Sequence, residues 1–484
     1  MKTLTSIVWK IPVVSVTGEL NIPILSVTFD SRKVEPGTLF VALRGTVDDG
    51  HRYIADVVRR GVSAIVCEEM PVSIRHDITY IITRDSALAL GYICAEFYDR
   101  PSQNLTLVGV TGTNGKTTTA TLLYQLFRKM GYKAGLISTV AYYIDGQRSE
   151  ATHTTPDPVQ LNQLMAQMVQ HGCEYCFMEV SSHSVIQQRI AGLMFAGGIF
   201  TNLTHDHLDF HKTFVEYLKA KKTFFDHLPD TAFALVNKDD RNGMVMVQNT
   251  KADVKTFAMK SIADFHCRIL ERDFSGMLLR LEGREAWMQL IGEFNAYNLL
   301  AVYATAVLLG QNPEEALTVM STLTPVDGRF EFIRSNSNVT AVVDYAHTPD
   351  ALENVLKAIR DLRPAGQIIT VAGCGGDRDK TKRPKMAKIA ATGSSRVIFT
   401  SDNPRSEEPD AIINDMLAGL EAEERCNTIV IADRREAIRT ACMMATTGDV
   451  VLVAGKGHET YQIVKGVKSH FDDREIVREV FQIE

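Results

Sequence analysis

Short apolar runs alternate with longer stretches of helical periodicity along most of this sequence, and that alternation limits the possible folds more than any other feature. Strands separated by helices form βα units around a largely parallel sheet, so we expect an α/β protein. The runs that we interpret as strands are Leu105–Val110, Cys176–Val180, Gly198–Thr201, Ala234–Asn237, Ala341–Val343, Ile368–Ala372, Val397–Thr400, Thr428–Ile431 and Val450–Ala454. The regular spacing of the runs after residue 340 is typical of a compact C-terminal α/β domain.

Two turn-rich segments divide the chain. Residues 101–104 (Pro-Ser-Gln-Asn) precede the first strong strand, and residues 324–328 (Thr-Pro-Val-Asp-Gly) mark a second boundary. With about 150 residues per domain as a guide, a chain of 484 residues should fold as roughly three domains. We therefore expect domains over residues 1–101, 102–332 and 333–484.

Charge and hydropathy exclude several classes of function. The 52 basic and 58 acidic residues give a net charge of −6 without a long run of either sign, which argues against wrapping duplex nucleic acid or binding a membrane surface. The longest apolar stretch, Leu299–Leu309, is about half the roughly 20 residues that a bilayer span needs, so we interpret it as a buried helix. The N-terminal residues lack the apolar region of a signal peptide. We expect a cytoplasmic, monomeric protein whose partners are small molecules, with no nucleic acid and no membrane.

A glycine-rich segment joins the strand at 105–110 to a helical stretch. Residues 111–119 read Thr-Gly-Thr-Asn-Gly-Lys-Thr-Thr-Thr. In such a turn, backbone N–H groups approach phosphate oxygens, and the start of the helix adds positive potential. Lys116 would reach the terminal phosphates of a nucleotide, and the Thr117 hydroxyl would hold Mg²⁺. The strict GxxxxGK[ST] pattern has glycine where this chain has Val110, and the alternative interpretation is an ordinary tight turn.

Acidic and imidazole side chains follow the next two predicted strands. Glu179 lies near the carboxyl edge of the sheet, where α/β proteins bind ligands, and it needs a cation there; capping or ion pairing is the alternative. Residues 201–211 (Thr-Asn-Leu-Thr-His-Asp-His-Leu-Asp-Phe-His) form a cluster suited to a divalent metal.

The histidine cluster also permits an interpretation from a different class, a zinc-dependent hydrolase. His205, His207 and Asp209 have the opening spacing of an HxHxDH pattern, but Phe210 stands where the third histidine belongs. A Mg²⁺ ion bound to ATP explains the cluster better, because the chain also carries the phosphate loop.

Two further groups of residues suggest a nucleoside site. The amides of Asn295 and Asn298, three residues apart on a helix, could hydrogen-bond a purine edge, although helix capping is an equal alternative. Arg329 lies at a domain junction, and Asp344 ends a strand, as contact with a ribose hydroxyl would require.

Three loops at strand ends of the C-terminal block suggest a site for a zwitterion. These loops, residues 375–380, 402–405 and 455–459, bring together two arginines, an amide and a glutamate. Such a set can bind carboxylate and ammonium groups at the same time, whereas ordinary solvated loops are the alternative.

Taken in order, these residues resemble the Mur ligase family of ATP-dependent amide-forming enzymes over nearly the whole chain. The motifs that carry the resemblance are residues 111–118, Glu179, Asn202 to His207, Asn295 to Asn298, Arg329 and residues 344–347 (Asp-Tyr-Ala-His). Residues 30–32 (Asp-Ser-Arg), 153–157, 375–380 and 402–405 (Asp-Asn-Pro-Arg) are similar to the members that add the third residue of the peptidoglycan stem peptide. The family's phosphate loop lacks the first glycine, which accounts for Val110.

The resemblance implies an N-terminal uridine-nucleotide-binding domain, a central P-loop ATPase-like parallel sheet and a C-terminal Rossmann-like domain that binds the acceptor amino acid. It implies UDP-N-acetylmuramoyl-L-alanyl-D-glutamate and meso-diaminopimelate as substrates, with ATP and Mg²⁺. The residues that it assigns to the nucleotide are Gly112, Thr113, Asn114, Gly115, Lys116, Thr117, Thr118, Asn295, Asn298, Arg329 and Asp344. The Mg²⁺ ligands would be Thr117, Glu179, His207 and Lys221, the last as a carbamate for a second ion, and Lys116, Glu179, His207 and Lys221 would be catalytic.

The same resemblance assigns the two organic substrates. The UDP-muramoyl dipeptide would contact Ser31, Thr46, Thr154, Thr155, Ser181, Gln187 and Arg189. The acceptor would contact Arg378, Asp402, Asn403, Pro404, Arg405, Gly455 and Glu459. The sequence leaves open whether Lys221 or its neighbours Lys219 and Lys222 would be carbamylated.

The acceptor is expected to be meso-diaminopimelate, because Arg405 can bind its extra carboxylate through two hydrogen bonds, whereas L-lysine would leave the guanidinium unpaired. The expected mechanism is activation of the D-glutamyl carboxylate as an acyl phosphate, followed by attack of the amine. The alternatives are a lysine-adding member, a folylpolyglutamate synthase, the zinc hydrolase and a P-loop motor acting on nucleic acid.

Overall fold

The computed structural model describes residues 2–45, 48–204, 208–362, 364 and 366–483, with the side chains of Leu208 and Asp209 excluded. Within these ranges the chain folds into α/β units arranged along the sequence. Short 3₁₀ turns occupy Ser31–Lys33, Gly50–Tyr53 and Pro101–Gln103.

The N-terminal unit is a sheet with helices on both faces. Its strands are β1 Lys2–Thr3, β2 Val13–Thr17, β3 Pro23–Ile24, β4 Ser26–Thr28, β5 Thr38–Val41, β6 Ala64–Cys67 and β7 Thr79–Thr83, and its helices are α1 Leu4–Val8, α2 Ile54–Arg59 and α3 Ser86–Phe97. The main sheet has the order β2-β7-β6-β5-β4, in which β4 to β7 are parallel and β2 is antiparallel. Helices α1 and α3 pack on one face, while α2 packs on the other.

The middle unit is built around a parallel sheet that continues into antiparallel strands. Its strands are β8 Thr106–Thr111, β9 Ala134–Ile137, β10 Ala141–Ile144, β11 Gln147–Glu150, β12 Tyr175–Glu179, β13 Gly197–Phe200, β14 Phe233–Asn237, β15 Asp253–Ala258, β16 Phe265–Asp273, β17 Gly276–Leu281 and β18 Arg284–Met288. Its helices are α4 Lys116–Lys129, α5 Pro158–Gln170, α6 Ser182–Ile186, α7 Leu208–His211, α8 Phe214–Asp226, α9 Gly243–Met246, α10 Glu293–Leu308 and α11 Pro313–Met320. Strand β8 lies between β12 and β13, both parallel to it, so the loops that follow these strands meet at one edge.

The C-terminal unit is a second α/β sheet. Its strands are β19 Glu331–Arg334, β20 Thr340–Asp344, β21 Ile368–Ala372, β22 Arg396–Phe399, β23 Thr428–Val430, β24 Val450–Ala454, β25 Tyr461–Val464 and β26 Val467–His470. Its helices are α12 Pro349–Asp361, α13 Lys382–Gly393, α14 Pro409–Leu417, α15 Ala422–Arg425, α16 Arg434–Met444 and α17 Asp473–Phe481. The order β19-β20-β24-β21-β22-β23 places β24, β21 and β22 side by side and parallel, so the three predicted acceptor loops leave one edge.

Each of the predicted strands is present, with bounds that differ from the prediction by at most one residue at either end. The predicted buried helix is α10, which starts earlier, at Glu293, and ends at Leu308. Residues 101–103 of the predicted linker form a 3₁₀ turn with Pro101 and Ser102 buried, because the Ser102 hydroxyl accepts a hydrogen bond from Met194 N. No helix within the described ranges is long and apolar enough to cross a lipid bilayer.

Helix α12 connects the C-terminal unit to the middle unit. Near its first turn, Asp350 Oδ2 accepts a hydrogen bond from Asn114 Nδ2 of the glycine-rich loop at 2.7 Å. Further along the helix, Lys357 pairs with Glu293 at 3.1 Å. At its end Asp361 pairs with Arg272. The C-terminal unit is therefore held against the carboxyl edge of the central sheet.

Candidate active site

The glycine-rich loop joins β8 to α4 in a conformation that requires glycine. Gly112 has a φ of +149° and Gly115 a φ of +86°, both in the region that side chains with a Cβ rarely adopt. A Cβ on Gly112 would collide with the Thr201 hydroxyl, and one on Gly115 would lie 2.5 Å from Asn298 Oδ1. The loop therefore passes close to β13 and α10, with its backbone facing the edge of the sheet.

Polar residues that follow β13 hold this loop in place. Asn202 Oδ1 accepts a hydrogen bond from Asn114 N at 2.9 Å, and Thr201 Oγ1 donates to Asn114 O at 2.6 Å. The Thr113 hydroxyl lies 3.1 Å from Tyr217 OH and accepts from Thr204 N at 3.0 Å. Because the loop is fixed from its own backbone and from a neighbouring strand end, it is pre-organised for a ligand.

Two lysines converge on the loop. Lys116 Nζ donates hydrogen bonds to Gly112 O at 3.0 Å and to Thr113 O at 2.8 Å. Lys221 Nζ donates to Gly112 O at 2.6 Å and lies 4.8 Å from the centre of the Tyr217 ring. Both side chains line the same cavity, and the Lys116 ammonium supplies positive charge that a polyphosphate needs.

The structure distinguishes Lys221 from its neighbours. Its side chain is buried, with 1% exposure, whereas Lys219 is exposed and Lys222 pairs with Asp226 at 2.6 Å. Of the three, Lys221 is the one that lines the cavity within the described part of the chain. His207, the other predicted metal ligand in this region, lies outside the described residues, as does His205.

Glu179 ends β12 with its carboxylate in the cavity. The side chain is 1% exposed, and Oε1 accepts a hydrogen bond from Thr139 N at 2.7 Å. Buried Oε2 has no hydrogen-bond partner among the residues that the structure describes. A buried carboxylate oxygen left in this way needs a cation, and carboxylate and hydroxyl oxygens suit Mg²⁺. With the Thr117 hydroxyl in the same cavity, these residues fit a magnesium ion.

The two predicted purine contacts have different environments. Asn298 lines the cavity, but Asn295 is not among its described lining residues. Instead, Asn295 Nδ2 donates to Ile291 O at 2.8 Å, and Asn295 Oδ1 accepts from Asn298 Nδ2 at 3.1 Å. In this structure Asn295 therefore orients the Asn298 side chain instead of lining the cavity, because its amide group is already hydrogen-bonded to Ile291 O and to Asn298 Nδ2.

Arg329 enters the cavity from the segment between the middle and C-terminal units. Its Nη2 donates to Thr117 Oγ1 at 3.2 Å, and the guanidinium carbon lies 4.4 Å from the centre of the Tyr345 ring. Buried Nε finds no hydrogen-bond acceptor in the described ranges. The Arg329 guanidinium therefore lies beside the phosphate loop, and its Nε–H can still donate a hydrogen bond to a ligand.

Asp344 is buried at the end of β20. Its Oδ2 accepts a hydrogen bond from Phe330 N at 2.7 Å, and it lines the cavity. Burial raises the pKa of this carboxyl to about 6, although the Arg329 charge and backbone hydrogen bonds oppose the rise. When the pKa of a carboxyl group is higher in the folded state than in the unfolded state, the free energy of unfolding falls as the pH rises between the two pKa values.

We therefore expect Asp344→Asn to change how stability depends on pH. Between pH 3 and pH 7, the ionisation of Asp344 should lower the free energy of unfolding by about 3 kcal/mol, and the amide removes this loss. The difference in melting temperature between the variant and the wild type should shift in favour of the variant as the pH rises. Thermal unfolding at several pH values measures it, and a difference that stays constant with pH would contradict the prediction.

Residues predicted to contact the muramoyl dipeptide lie at the far end of the same cavity. Thr155 Oγ1 donates to Glu179 O at 2.8 Å and accepts from Ser181 N at 3.2 Å. Arg189 Nη1 donates to Thr155 O at 2.7 Å, and its Nε and Nη2 donate to Gln187 Oε1. Burial lowers the pKa of the Arg189 guanidinium. An anionic group of a substrate would compensate this buried cation.

The whole cavity has a volume of about 780 Å³, large enough for a nucleotide and part of a second substrate. The candidate residues that line it are Thr113, Asn114, Gly115, Lys116, Thr117, Thr118, Thr154, Thr155, Glu179, Ser181, Arg189, Lys221, Asn298, Arg329, Asp344 and Arg378. Ser31 lies on a separate 3₁₀ turn of the N-terminal unit, where it is not among the described lining residues, and Thr46 lies outside the described residues.

The predicted acceptor residues form a connected cluster in the C-terminal unit. Asn403 Nδ2 donates to Glu459 Oε2 at 2.8 Å. Arg405 Nη1 donates to Gly376 O at 2.6 Å, and its guanidinium forms no ion pair with the carboxylates that the structure describes. Gly455 has a φ of +119°, and a Cβ there would lie 3.1 Å from Asp402 Oδ2. The backbone of Pro404 packs against Gly376.

Arg378 links this cluster to the large cavity. It lines the cavity, and a Cβ on Gly375 would lie 3.8 Å from Arg378 Cγ and 2.9 Å from Arg405 Nη1. Arg378 is thus the predicted acceptor residue that lines the cavity in the described part of the chain, and it lies close to Arg405 of the acceptor cluster.

Several residues of the site were not predicted from the sequence. They are Thr139, which binds Glu179; Asp350, which binds the loop; Tyr345, which stacks on Arg329; and Lys456, buried within the acceptor cluster. Tyr345 and Lys456 belong to segments that carry predicted site residues, but only burial and contacts reveal the roles of these two side chains.

Sequence profiles of three domains match the chain in order. The profile described as "Mur ligase family, catalytic domain" matches residues 23–98, "Mur ligase middle domain" matches residues 110–306, and "Mur ligase, glutamate ligase domain" matches residues 328–457. The chain belongs to the Mur ligase family. Membership accounts for a phosphate loop and Glu179 in the middle unit together with an acceptor cluster in the C-terminal unit.

Individual relatives agree with this assignment. The chain is 59% identical over 481 residues to a UDP-N-acetylmuramoyl-L-alanyl-D-glutamate–2,6-diaminopimelate ligase of Bacteroides fragilis, covering 99% of both chains. It is 55% identical over 478 residues to the enzyme of that name from Cytophaga hutchinsonii, covering 99% of this chain and 98% of the relative. A solved structure of a ligase with the same name is 30% identical, with a TM-score of 0.70 and 99% of both chains covered.

The family sets aside the zinc hydrolase and the nucleic-acid motor. The side chains of the HxHxDH pattern, His205, His207 and Asp209, lie outside the described residues, so family membership alone decides this point. The hydroxyl and carboxylate of Thr117 and Glu179 instead suit a magnesium ion shared with a nucleotide.

Proposed function

We propose that this protein joins meso-2,6-diaminopimelate to the D-glutamate of UDP-N-acetylmuramoyl-L-alanyl-D-glutamate at the expense of ATP, in peptidoglycan biosynthesis. The observation that carries the proposal is a single cavity lined by the phosphate loop, Glu179, Arg189 and Arg378, the last of which lies close to the acceptor cluster. A ligase needs nucleotide, acid and amine side by side, and this arrangement supplies a place for each.

The chemistry follows from the poor reactivity of a carboxylate towards an amine. The D-glutamyl carboxylate takes the γ-phosphoryl group of ATP and ADP leaves, which gives an acyl phosphate. The amine of diaminopimelate then forms the C–N bond, gives up a proton, and phosphate departs. Direct attack of the amine on the carboxylate would have to expel oxide, and the two steps avoid that leaving group.

The chain's own residues carry the charge in this scheme. Lys116 and Arg329 face the phosphates, where they offset the charge on the transferring oxygens. Thr117 and Glu179 would hold one Mg²⁺, and His207 with carbamylated Lys221 a second. Bound Mg²⁺ supplies Lewis-acid charge neutralisation at the phosphates. Arg189 and Thr155 orient the dipeptide.

The acceptor preference rests on Arg405. Its guanidinium, without a carboxylate partner in the described part of the chain, can bind the distal carboxylate of diaminopimelate through two parallel hydrogen bonds. Glu459 and Asp402 supply negative charge for the distal ammonium group. The protein is proposed to act as a cytoplasmic monomer, with domains over residues 1–101, 102–332 and 333–484.

The decisive experiment measures phosphate release with ATP, Mg²⁺ and the UDP-muramoyl dipeptide, comparing meso-diaminopimelate with L-lysine. We expect release to require both the dipeptide and meso-diaminopimelate, with kcat/KM for L-lysine lower by about 100-fold or more. Mass spectrometry of the product confirms the tripeptide. Equal rates with L-lysine would contradict the proposed acceptor. Phosphate release at the same rate without any amino acid would contradict the requirement for the acceptor.

A further inference from the structure

Lys456 is a lysine that the acceptor cluster encloses completely. Its side chain has 0% exposure, and it directly follows Gly455 at the end of β24. Burial of an ammonium group is strongly unfavourable unless acceptors and opposite charges surround it. A buried lysine among substrate-binding loops thus has a specific set of partners.

The partners of Lys456 are the acceptor residues themselves. Its Nζ donates hydrogen bonds to Asn403 Oδ1 at 3.0 Å and to Tyr461 O at 2.7 Å. It also lies 3.4 Å from Asp402 Oδ1 and 3.6 Å from Glu459 Oε2. One cation therefore contacts the loop after β22, the loop after β24 and the strand β25.

The bond to Asn403 fixes which way the amide points. Asn403 Oδ1 accepts from Lys456 Nζ and from Ile463 N at 3.0 Å, so Nδ2 faces Glu459, to which it donates at 2.8 Å. The second N–H of that amide stays available to a substrate oxygen. A flipped amide would lose all three hydrogen bonds and would place its oxygen beside the Glu459 carboxylate.

The charge of Lys456 also allows two carboxylates to share the site. Burial and nearby Asp402 raise the pKa of the Glu459 carboxyl, whereas Lys456 lowers it. With the lysine present, the two acids together exceed it by one negative charge, which matches one ammonium group. Asp402 Oδ1 has no hydrogen-bond partner among the described residues, so it can still accept from such a group.

We infer that Lys456 is a positioning residue for the acceptor, which orients Asn403 and keeps Asp402 and Glu459 ready to bind the ammonium group of a diamino acid. It acts through these side chains, and its polar contacts among the described residues are all to the acceptor loops and β25. This inference rests on the proposed function, because it assigns Lys456 to recognition of the amino acid in that reaction.

The test compares Lys456→Met and Lys456→Gln with Lys388→Met, a control at an exposed lysine that pairs with Glu424 in the same unit. Phosphate release is measured while meso-diaminopimelate, ATP and the UDP-muramoyl dipeptide are varied in turn. For Lys456→Met we expect KM for meso-diaminopimelate to rise by about 10- to 100-fold. KM for ATP and for the dipeptide should stay within about twofold of the wild type, because neither substrate touches this cluster. Lys456→Gln, which keeps a donor but not the charge, should fall between, and Lys388→Met should match the wild type.

The results separate this inference from the proposed function. An unchanged KM for meso-diaminopimelate in Lys456→Met, or equal losses for the three substrates, overturns the inference alone. Failure of both Lys456 variants to fold, measured by thermal unfolding, overturns it as well, since the lysine would then be a structural residue. A wild-type enzyme that releases no phosphate with meso-diaminopimelate refutes the proposed function and this inference with it.

Discussion

Replacement of Lys116 by alanine should lower kcat/KM for ATP-dependent ligation by about 10³-fold or more. The Lys116 ammonium lies across the glycine-rich loop, where it donates to Gly112 O and Thr113 O and lines the cavity beside Thr117. Phosphoryl transfer spreads charge over three oxygens, and the interaction of a fixed cation with them is stronger in the transition state than in the ground state. Removal of the cation should therefore reduce kcat, with KM for meso-diaminopimelate little changed.

The matched control is Lys129→Ala, at the other end of the same helix. Lys129 is exposed and donates to Thr322 O at 2.8 Å, well away from the loop. It should keep wild-type activity, and both variants should unfold near the wild-type temperature. Gly112 O also accepts from Lys221, so the loop does not depend on Lys116 alone. A Lys116→Ala enzyme with wild-type kcat would refute the role of the phosphate loop.

The parallel strands that were named from the sequence form nearly continuous apolar runs, whereas the parallel strands β4 to β7, β9 and β15 were not named. Val450–Ala454 is wholly apolar and Ile368–Ala372 is interrupted only by Thr370, and the structure has both strands with those bounds. The antiparallel extension at β16 to β18 was not predicted. Strand β16 exposes most of its side chains, and apolar and polar residues alternate only as far as Ile269, where a bulge shifts the register with β17.

The residues of the site also fall into a group that the sequence revealed and a group that it did not. The phosphate loop was recognisable because its residues are contiguous and their chemistry depends on local spacing. Contacts between distant segments left no such signal: Asn114 and Asp350 are 236 residues apart, Thr139 and Glu179 are 40 apart, and Asn403 and Lys456 are 53 apart. Tertiary packing brings these pairs together, within one unit for the last two pairs and between the middle and C-terminal units for Asn114 and Asp350. The orientation of Asn295 was equally unpredictable, because its amide donates to Ile291 O instead of lining the cavity.

Replacement of Arg405 by alanine should raise KM for meso-diaminopimelate by about 100-fold and remove most of the discrimination against L-lysine. Arg405 has a φ of +54°, its backbone N–H donates a hydrogen bond to Ile463 O, and its Nη1 donates one to Gly376 O. These hydrogen bonds orient the guanidinium before a ligand arrives. The distal carboxylate of diaminopimelate would pair with this cation, whereas L-lysine has no group to place there and leaves a positive charge unmatched. Arg405→Lys keeps the charge but not the planar fork, so it should recover only part of the affinity.

The measurement is kcat/KM for both amino acids in the wild type, the two Arg405 variants and Arg439→Ala. Arg439 is half-exposed and approaches Glu436 and Glu479 at 3.6 to 3.9 Å, so its loss tests for a general effect of charge on this unit. We expect Arg439→Ala to behave as the wild type, because exposed ion pairs contribute little. The ratio of the two kcat/KM values isolates the distal carboxylate, since every other contact is common to the two acceptors. If Arg405→Ala keeps the wild-type ratio of the two kcat/KM values, another cation binds the distal carboxylate. Arg378, which lies close to Arg405, is then the candidate.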